Sequence, residues 1–115
     1  MNNCDTLAVT RLDDMVRGWF IGDFSPVAFR TQSVEVAVQH FSAGSHEAAH
    51  FHRQATEVTL LLHGRCRMAG REIQVGEIVT LPPGTISAFE ALEDCITVVV
   101  KLPGVLDDKF VVAEC

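Results

Sequence analysis

The five histidines of this 115-residue chain all fall between positions 40 and 63: His40, His46, His50, His52 and His63. The pair with chemical spacing is His50-Phe51-His52. On a β-strand, residues two apart project from the same face, about 7 Å apart along the strand. Imidazole nitrogens reaching out from there converge on one ion. Four residues, 53–56, separate His52 from Glu57, enough to turn the chain into an adjacent antiparallel strand and bring the Glu57 carboxylate to the same face. Two imidazoles and one carboxylate on one side of an ion leave its other positions open. That donor set suits Fe(II), and also Mn, Co, Ni or Zn with water completing the shell. An isolated H-x-H more often marks two surface histidines, so the elements that carry it decide its meaning.

Those elements read as strands. Val34, Val36 and Val38 alternate with Glu35, Ala37 and Gln39, the pattern of a half-buried strand. Residues 56–62 are β-branched and apolar and end at His63 and Gly64; residues 65–68 and 71–75 flank Ala69-Gly70 as a hairpin. Residues 76–81 form a strand stopped by Pro82-Pro83-Gly84, residues 86–91 and 95–101 form two more, and a last short one covers 109–113. Many short strands separated by turn signals predict an all-β sandwich or barrel. The first thirty residues differ. Residues 10–17 read as a short helix capped by Thr10, with Asp13 three residues on. Residues 18–24, with the single tryptophan Trp19, read as an apolar extended arm, and Pro26 marks a turn or edge.

The glycines around the histidines carry a resemblance to the cupin superfamily. Its first motif is G, five residues, H-x-H, three or four residues, E, six residues, G; this chain has Gly44, His50, His52, Glu57 and Gly64 with spacings of five, four and six. Its second motif, G, five residues, P-x-G, two residues, H, three residues, N, is met by Gly76 and by Pro82-Pro83-Gly84, but Ser87 stands in the histidine position and Ala91 in the asparagine position. The resemblance covers residues 34–100. It implies a single-domain double-stranded β-helix, a jelly-roll-like barrel over 33–115, with 1–32 as an arm packed on the barrel or on a dimer partner. It also implies metal ligation by His50, His52 and Glu57 without the fourth ligand, a small-molecule ligand and a homodimer.

If Glu57 points inward, alternation puts Thr59, Leu61 and His63 on its face, with His63 at the strand end read as facing solvent. If Ser87 points inward, so do Phe89 and Ala91. The cavity then reads as mostly apolar with a polar mouth. His40 and His46 read as surface or rim residues, with His46 placed to reach a bound substrate. Gly44, Gly64, Gly76 and Gly84 read as turn formers that accept positive φ.

Composition narrows the function classes. The chain is 48% apolar and 21% charged, the balance of a folded domain. A net charge of −6 without a basic stripe argues against nucleic acid, and Arg65 and Arg67 alternate as a solvated hairpin face. The apolar runs 58–62 and 96–100 are too short to span a bilayer. The N-terminus shows no secretory signal, so the expected compartment is the cytoplasm. None of the four cysteines, Cys4, Cys66, Cys95 and Cys115, forms a C-x-x-C pair. Cys66 and Cys95 read as small apolar fillers, and a disulfide between them runs against a reducing compartment. Three functions stay open: a metal-dependent enzyme of the dioxygenase or isomerase type, a non-catalytic ligand-binding or regulatory module, and an interaction role using the Trp19-Phe20 arm and the tail Phe110-Val111-Val112. The absence of tyrosine argues against the epimerase branch of the family, which relies on a His and Tyr pair.

Overall fold

Strand alternation sorts the side chains of this protein into an inside and an outside, and the inside closes a barrel. The computed structural model describes residues 6–112. Its strands are β1 (Trp19–Gly22), β2 (Phe29–Arg30), β3 (Glu35–Phe41), β4 (His46–His52), β5 (Thr56–His63), β6 (Cys66–Met68), β7 (Arg71–Ile73), β8 (Ile78–Leu81), β9 (Ser87–Ala91), β10 (Cys95–Leu102) and β11 (Lys109–Val111). They form a six-stranded sheet in the order β2-β1-β3-β10-β5-β8 and a five-stranded sheet in the order β11-β4-β9-β6-β7. The two sheets share one core: Leu61, Leu81 and Cys95 from the first pack with Cys66, Met68, Ile73, Phe89 and Ala91 from the second. Phe41 of β3 meets Phe89 of β9 with ring centroids 4.5 Å apart. This is the expected all-β double-stranded β-helix. No helix among the described residues is long and apolar enough to cross a membrane.

Polarity changes along each inward face. On β5 the inward series runs Leu61, Thr59, Glu57; on β10 it runs Cys95, Thr97, Val99, Lys101; on β9 it runs Ala91, Phe89, Ser87. One end of the barrel is therefore packed with apolar side chains and the other is lined by polar ones. On β3 the buried side is Glu35 and Ala37, and the alternating Val36 and Val38 stay half-buried on the outer face.

One local expectation is corrected. The segment 10–17 forms no α-helix but two single 3₁₀ turns, Leu12–Asp14 and Val16–Gly18, and the residue before the first is Arg11, with no side-chain cap. The turn breaks at Arg17, which adopts φ 52°, and Gly18 follows at φ 80°. A Cβ on Gly18 would lie 1.8 Å from the Val38 carbonyl oxygen, so only glycine lets the chain pass this close to β3. In the tail, Phe110 of β11 stacks on Phe51 of β4 at 5.5 Å, under the guanidinium of Arg53 at 4.4 Å, while Val111 is 64% exposed. Of the last expected strand, 109–111 is formed and Ala113 lies outside the described residues, as do Cys4 and Cys115. Cys66 and Cys95 are buried free thiols. Burial, with Cys95 beside it, pushes the Cys66 thiol up to about 11, so it is no nucleophile at neutral pH.

Gly44, Gly64, Gly76 and Gly84 all have positive φ. They differ in surroundings: a Cβ on Gly64 would meet the Asp94 carbonyl oxygen at 2.1 Å, whereas one on Gly76 would meet nothing within 4 Å. Gly76→Ala is therefore expected to cost only the left-handed backbone penalty of about 1–2 kcal/mol. Gly64→Ala is expected to cost at least twice as much, because the β5–β6 turn must also move off Asp94. Thermal denaturation of the two variants against wild type checks this; equal losses would show that the Gly64 contact is not a constraint.

Candidate metal centre

The site starts from an irregularity in β4. Glu47 stands opposite Phe89, but His50 stands opposite Ser87, so β4 takes three steps where β9 takes two. This is a β-bulge, and it shifts the alternation by one residue. Before it Glu47 faces the interior; after it His50 and His52 do. A regular strand would have turned both histidines outward. The bulge also supplies a partner. His50 Nδ1 lies 2.9 Å from the Ala48 carbonyl oxygen, so that nitrogen donates and Nε2 keeps its lone pair free.

Glu57 enters from the start of β5, after a turn held by a residue far along the chain. Asp108, 5% exposed, accepts backbone N–H bonds from Arg53 at 3.1 Å, Gln54 at 3.1 Å and Ala55 at 3.0 Å. On the other side, the Gly84 N–H donates to the His52 carbonyl oxygen at 2.7 Å, fastening the Pro82-Pro83-Gly84 turn to the end of β4. His52 and Glu57 are thus gripped from both flanks.

The ligand atoms of His50, His52 and Glu57 all lie within 4.8 Å of one another. The two imidazole rings are nearly perpendicular, with centroids 5.4 Å apart. His52 Nε2 is 3.4 Å from Glu57 Oε1, yet this buried nitrogen has no hydrogen-bond partner. Thr59 donates to the other oxygen of Glu57 at 3.3 Å. Burial pushes the Glu57 carboxyl up, but His52, Lys101 and His50 together pull it below its ordinary value. The carboxylate is therefore ionised at neutral pH, as a ligand must be. Ser87, 4% exposed, lines the same cavity directly across from His50, in the place of the second-motif histidine.

The cavity over these residues has a volume of about 190 Å³. Thr59, Ser87 and Phe89 line it as alternation predicts, and His63 is exposed at the strand end. The expectation of a mostly apolar lining is corrected: Gln39, Glu47, Thr97 and Lys101 also face the cavity. His46 and His40 are exposed and outside it; Glu47, the neighbour of His46, is the residue that enters. Trp19 is a wall of the cavity, with the Lys101 ammonium 4.7 Å from its ring centroid. Glu35, 7% exposed, is the cross-strand partner of Lys101, and burial raises its carboxyl above the ordinary range despite that cation. Of the residues missed from sequence, Lys101 and Thr97 were accessible by counting inward positions back from Cys95. Glu47 and Asp108 had no such signal.

No family model and no curated protein matches the sequence. Solved structures do match the fold. An uncharacterised conserved protein with a double-stranded β-helix domain from Klebsiella pneumoniae aligns over 99% of this chain and 98% of its own, with TM-score 0.71 and 20% identity. The DMSP lyase DddQ from Ruegeria pomeroyi aligns over 77% of this chain and 46% of its own, with TM-score 0.61 and 23% identity. Oxalate decarboxylase from Bacillus subtilis, with its Mn(II) centres, aligns over 71% of this chain and 25% of its own, with TM-score 0.61 and 18% identity. At these identities the likeness shows the fold alone, a double-stranded β-helix.

The carboxyl of Asp108 is pushed up by burial but drawn further down by the N–H groups of Ala55, Gln54 and Arg53 and by His52. Unfolding breaks these contacts. The stability they contribute is therefore complete above the ordinary aspartate value of about 3.9 and is lost as pH falls through the lower folded value. Asp108→Asn, which turns an amide NH₂ toward the three N–H groups, is expected to cost about 1–3 kcal/mol at neutral pH. Melting curves followed into acid are expected to show the gap to wild type shrinking below pH ~4. A gap that is constant with pH would refute the carboxylate's role in holding the turn.

Proposed function

We propose that this protein is a small metal-binding cupin that acts on a small molecule in the cavity over His50, His52 and Glu57. One observation carries the reading: the buried Nε2 of His52 has no hydrogen-bond partner, and it shares a 4.8 Å cluster with donor atoms of His50 and Glu57. A buried polar nitrogen left unsatisfied costs about 1–3 kcal/mol, and a cation at this point would satisfy it. Two imidazoles and a carboxylate suit a divalent transition ion of the group Fe, Mn, Ni, Co and Zn. The Mn(II) centres of the structurally similar oxalate decarboxylase support that choice.

The ion would supply Lewis acidity to an oxygen of the bound molecule at its open positions. The chain's own residues prepare the rest. The Ala48 carbonyl sets the tautomer of His50, Thr59 holds one oxygen of Glu57, and Ser87 leaves room beside His50. Glu47 and Lys101 bring a proton acceptor and a fixed cation to the same space. Dioxygenase and isomerase chemistry are the reaction classes this arrangement serves. The names of the similar folds, a DMSP lyase and an oxalate decarboxylase, support a small molecule as the target. Ser87 favours a second reading, a ligand-binding or regulatory module with weak metal affinity, because a neutral hydroxyl replaces a charged shell's fourth donor.

The cytoplasm is the compartment proposed for this chemistry, and a homodimer the assembly. The outer face of the six-stranded sheet supports the latter: Val36, Val38, Val58, Leu60, Val98 and Val100 are only half-buried there. Sedimentation is expected to give twice the chain mass of 12.6 kDa, and Val98→Asp to give the monomer; a monomeric wild type would reject the dimer.

Elemental analysis of the purified protein is expected to show near-stoichiometric transition metal, absent from a His50→Ala/His52→Ala variant. His50→Ala alone is expected to weaken binding on the order of 100-fold, about 2.7 kcal/mol. Ser87→His is expected to tighten it by completing the set. No metal in wild type, even after anaerobic reconstitution, would remove the metal reading. Weak metal binding tightened by Ser87→His, without turnover, would support the module reading.

A further inference from the structure

The wall of the cavity facing the ligand cluster carries polar groups whose hydrogen-bonding capacity the barrel leaves unused. Thr97 is 1% exposed, lines the cavity, and its hydroxyl has no hydrogen-bond partner among the described residues. Lys101 lies four residues along the same face of β10, level with Glu57 on β5, and rests on the Trp19 ring. Among the described residues its ammonium makes no hydrogen bond or ion pair. At about 3.3 Å per residue the two backbone positions are ~13 Å apart. One carboxylate therefore does not reach both groups, but a small molecule with polar groups at its two ends does. The cavity volume of about 190 Å³ corresponds to roughly six water volumes, which fits a molecule of that size.

Charge sets the sign of the end held by Lys101. Lys109 is paired with Glu47 at 3.3 Å and cancels. Arg17, held at the mouth by the Gln39 bond to its carbonyl, and Lys101 are offset by Glu57 in the lining and by Glu35, which is cross-strand from Lys101 and outside that lining. The cavity is then close to neutral alone and about two charges positive with a divalent ion in place. A neutral ligand would leave that excess unmatched.

We propose that the occupant is a small bifunctional carboxylic acid, an oxo-, hydroxy- or dicarboxylate, with its carboxylate beside Lys101 and its far polar group on the Thr97 hydroxyl. This deepens the metal reading and rests on it for the charge excess alone. The hydroxyl of Thr97 is then kept for the ligand at the expense of the empty fold.

Calorimetric titration with malonate, propionate and malonamide tests the assignment, with metal content measured on each sample. Malonate is expected to bind at least tenfold tighter than propionate, and propionate tighter than malonamide. Lys101→Met is expected to weaken both acids at least tenfold. Thr97→Val is expected to bring malonate down to the level of propionate while raising the melting temperature of the free protein, a combination that damage to the fold does not produce. Malonamide binding as well as malonate, no binding of any acid, or Thr97→Val binding malonate like wild type would overturn the proposal, whatever the metal content. The same ladder of affinities in a protein that takes up no metal would uphold it while removing the metal reading.

Discussion

Three backbone N–H groups in a row, from Arg53 to Ala55, point at one carboxylate, and that contact decides where the candidate ligands stand. A turn this tight exposes donors that strand pairing does not satisfy, and buried donors need partners. Asp108 satisfies them with a full negative charge, which makes the bonds stronger than neutral ones. Because Asp108 lies between β10 and β11, the last strands of the barrel are tied to the turn between His52 and Glu57. Pulling the tail away would release both ends of the site together.

The interior shows what the site costs. The closed end of the barrel behaves as a core should, with Leu61, Cys66, Ala91 and Cys95 almost wholly buried. The other end keeps His52 Nε2 and Thr97 Oγ1 buried without a hydrogen bond among the described residues, and Glu35 buried beside one lysine. Native proteins satisfy nearly all such groups. A chain selected only for stability would have filled this end with apolar side chains, as it does at the other. The departures gather around one cavity, where unmet polar groups are available to a ligand.

Period-two patterning made the strands legible, and the spacing of Gly44, His50, His52, Glu57 and Gly64 made the barrel and the cluster legible. What stayed hidden has physical reasons. The bulge between Glu47 and His50 adds one residue without any change in composition, so Glu47 gave no sign of facing inward. Alternation alone does not say which face of β3 is inside, and hydrophobicity pointed to the valines; the cavity needed the other face. Asp108 acts across more than fifty residues, a distance over which no local pattern reports. The segment 10–17 has a helical look, but Gly18 must press against β3, and that tertiary contact overrides local propensity.

Ser87 is the departure that gives the site its character. In register with His50 and 4% exposed, it occupies the position from which a further imidazole would reach the cluster. A histidine there would add affinity for an ion and would also fill space. Serine gives up the donor and leaves an open volume next to His50, while its hydroxyl bonds only to the neighbouring Ala88 carbonyl at 3.3 Å. On the metal reading, His50, His52 and Glu57 would hold the ion, and the cavity they line is also lined by Thr97 and Lys101. The serine at this position and the polar wall are then two parts of one arrangement, since Ser87, Thr97 and Lys101 line the same cavity and a molecule bound there would meet all three.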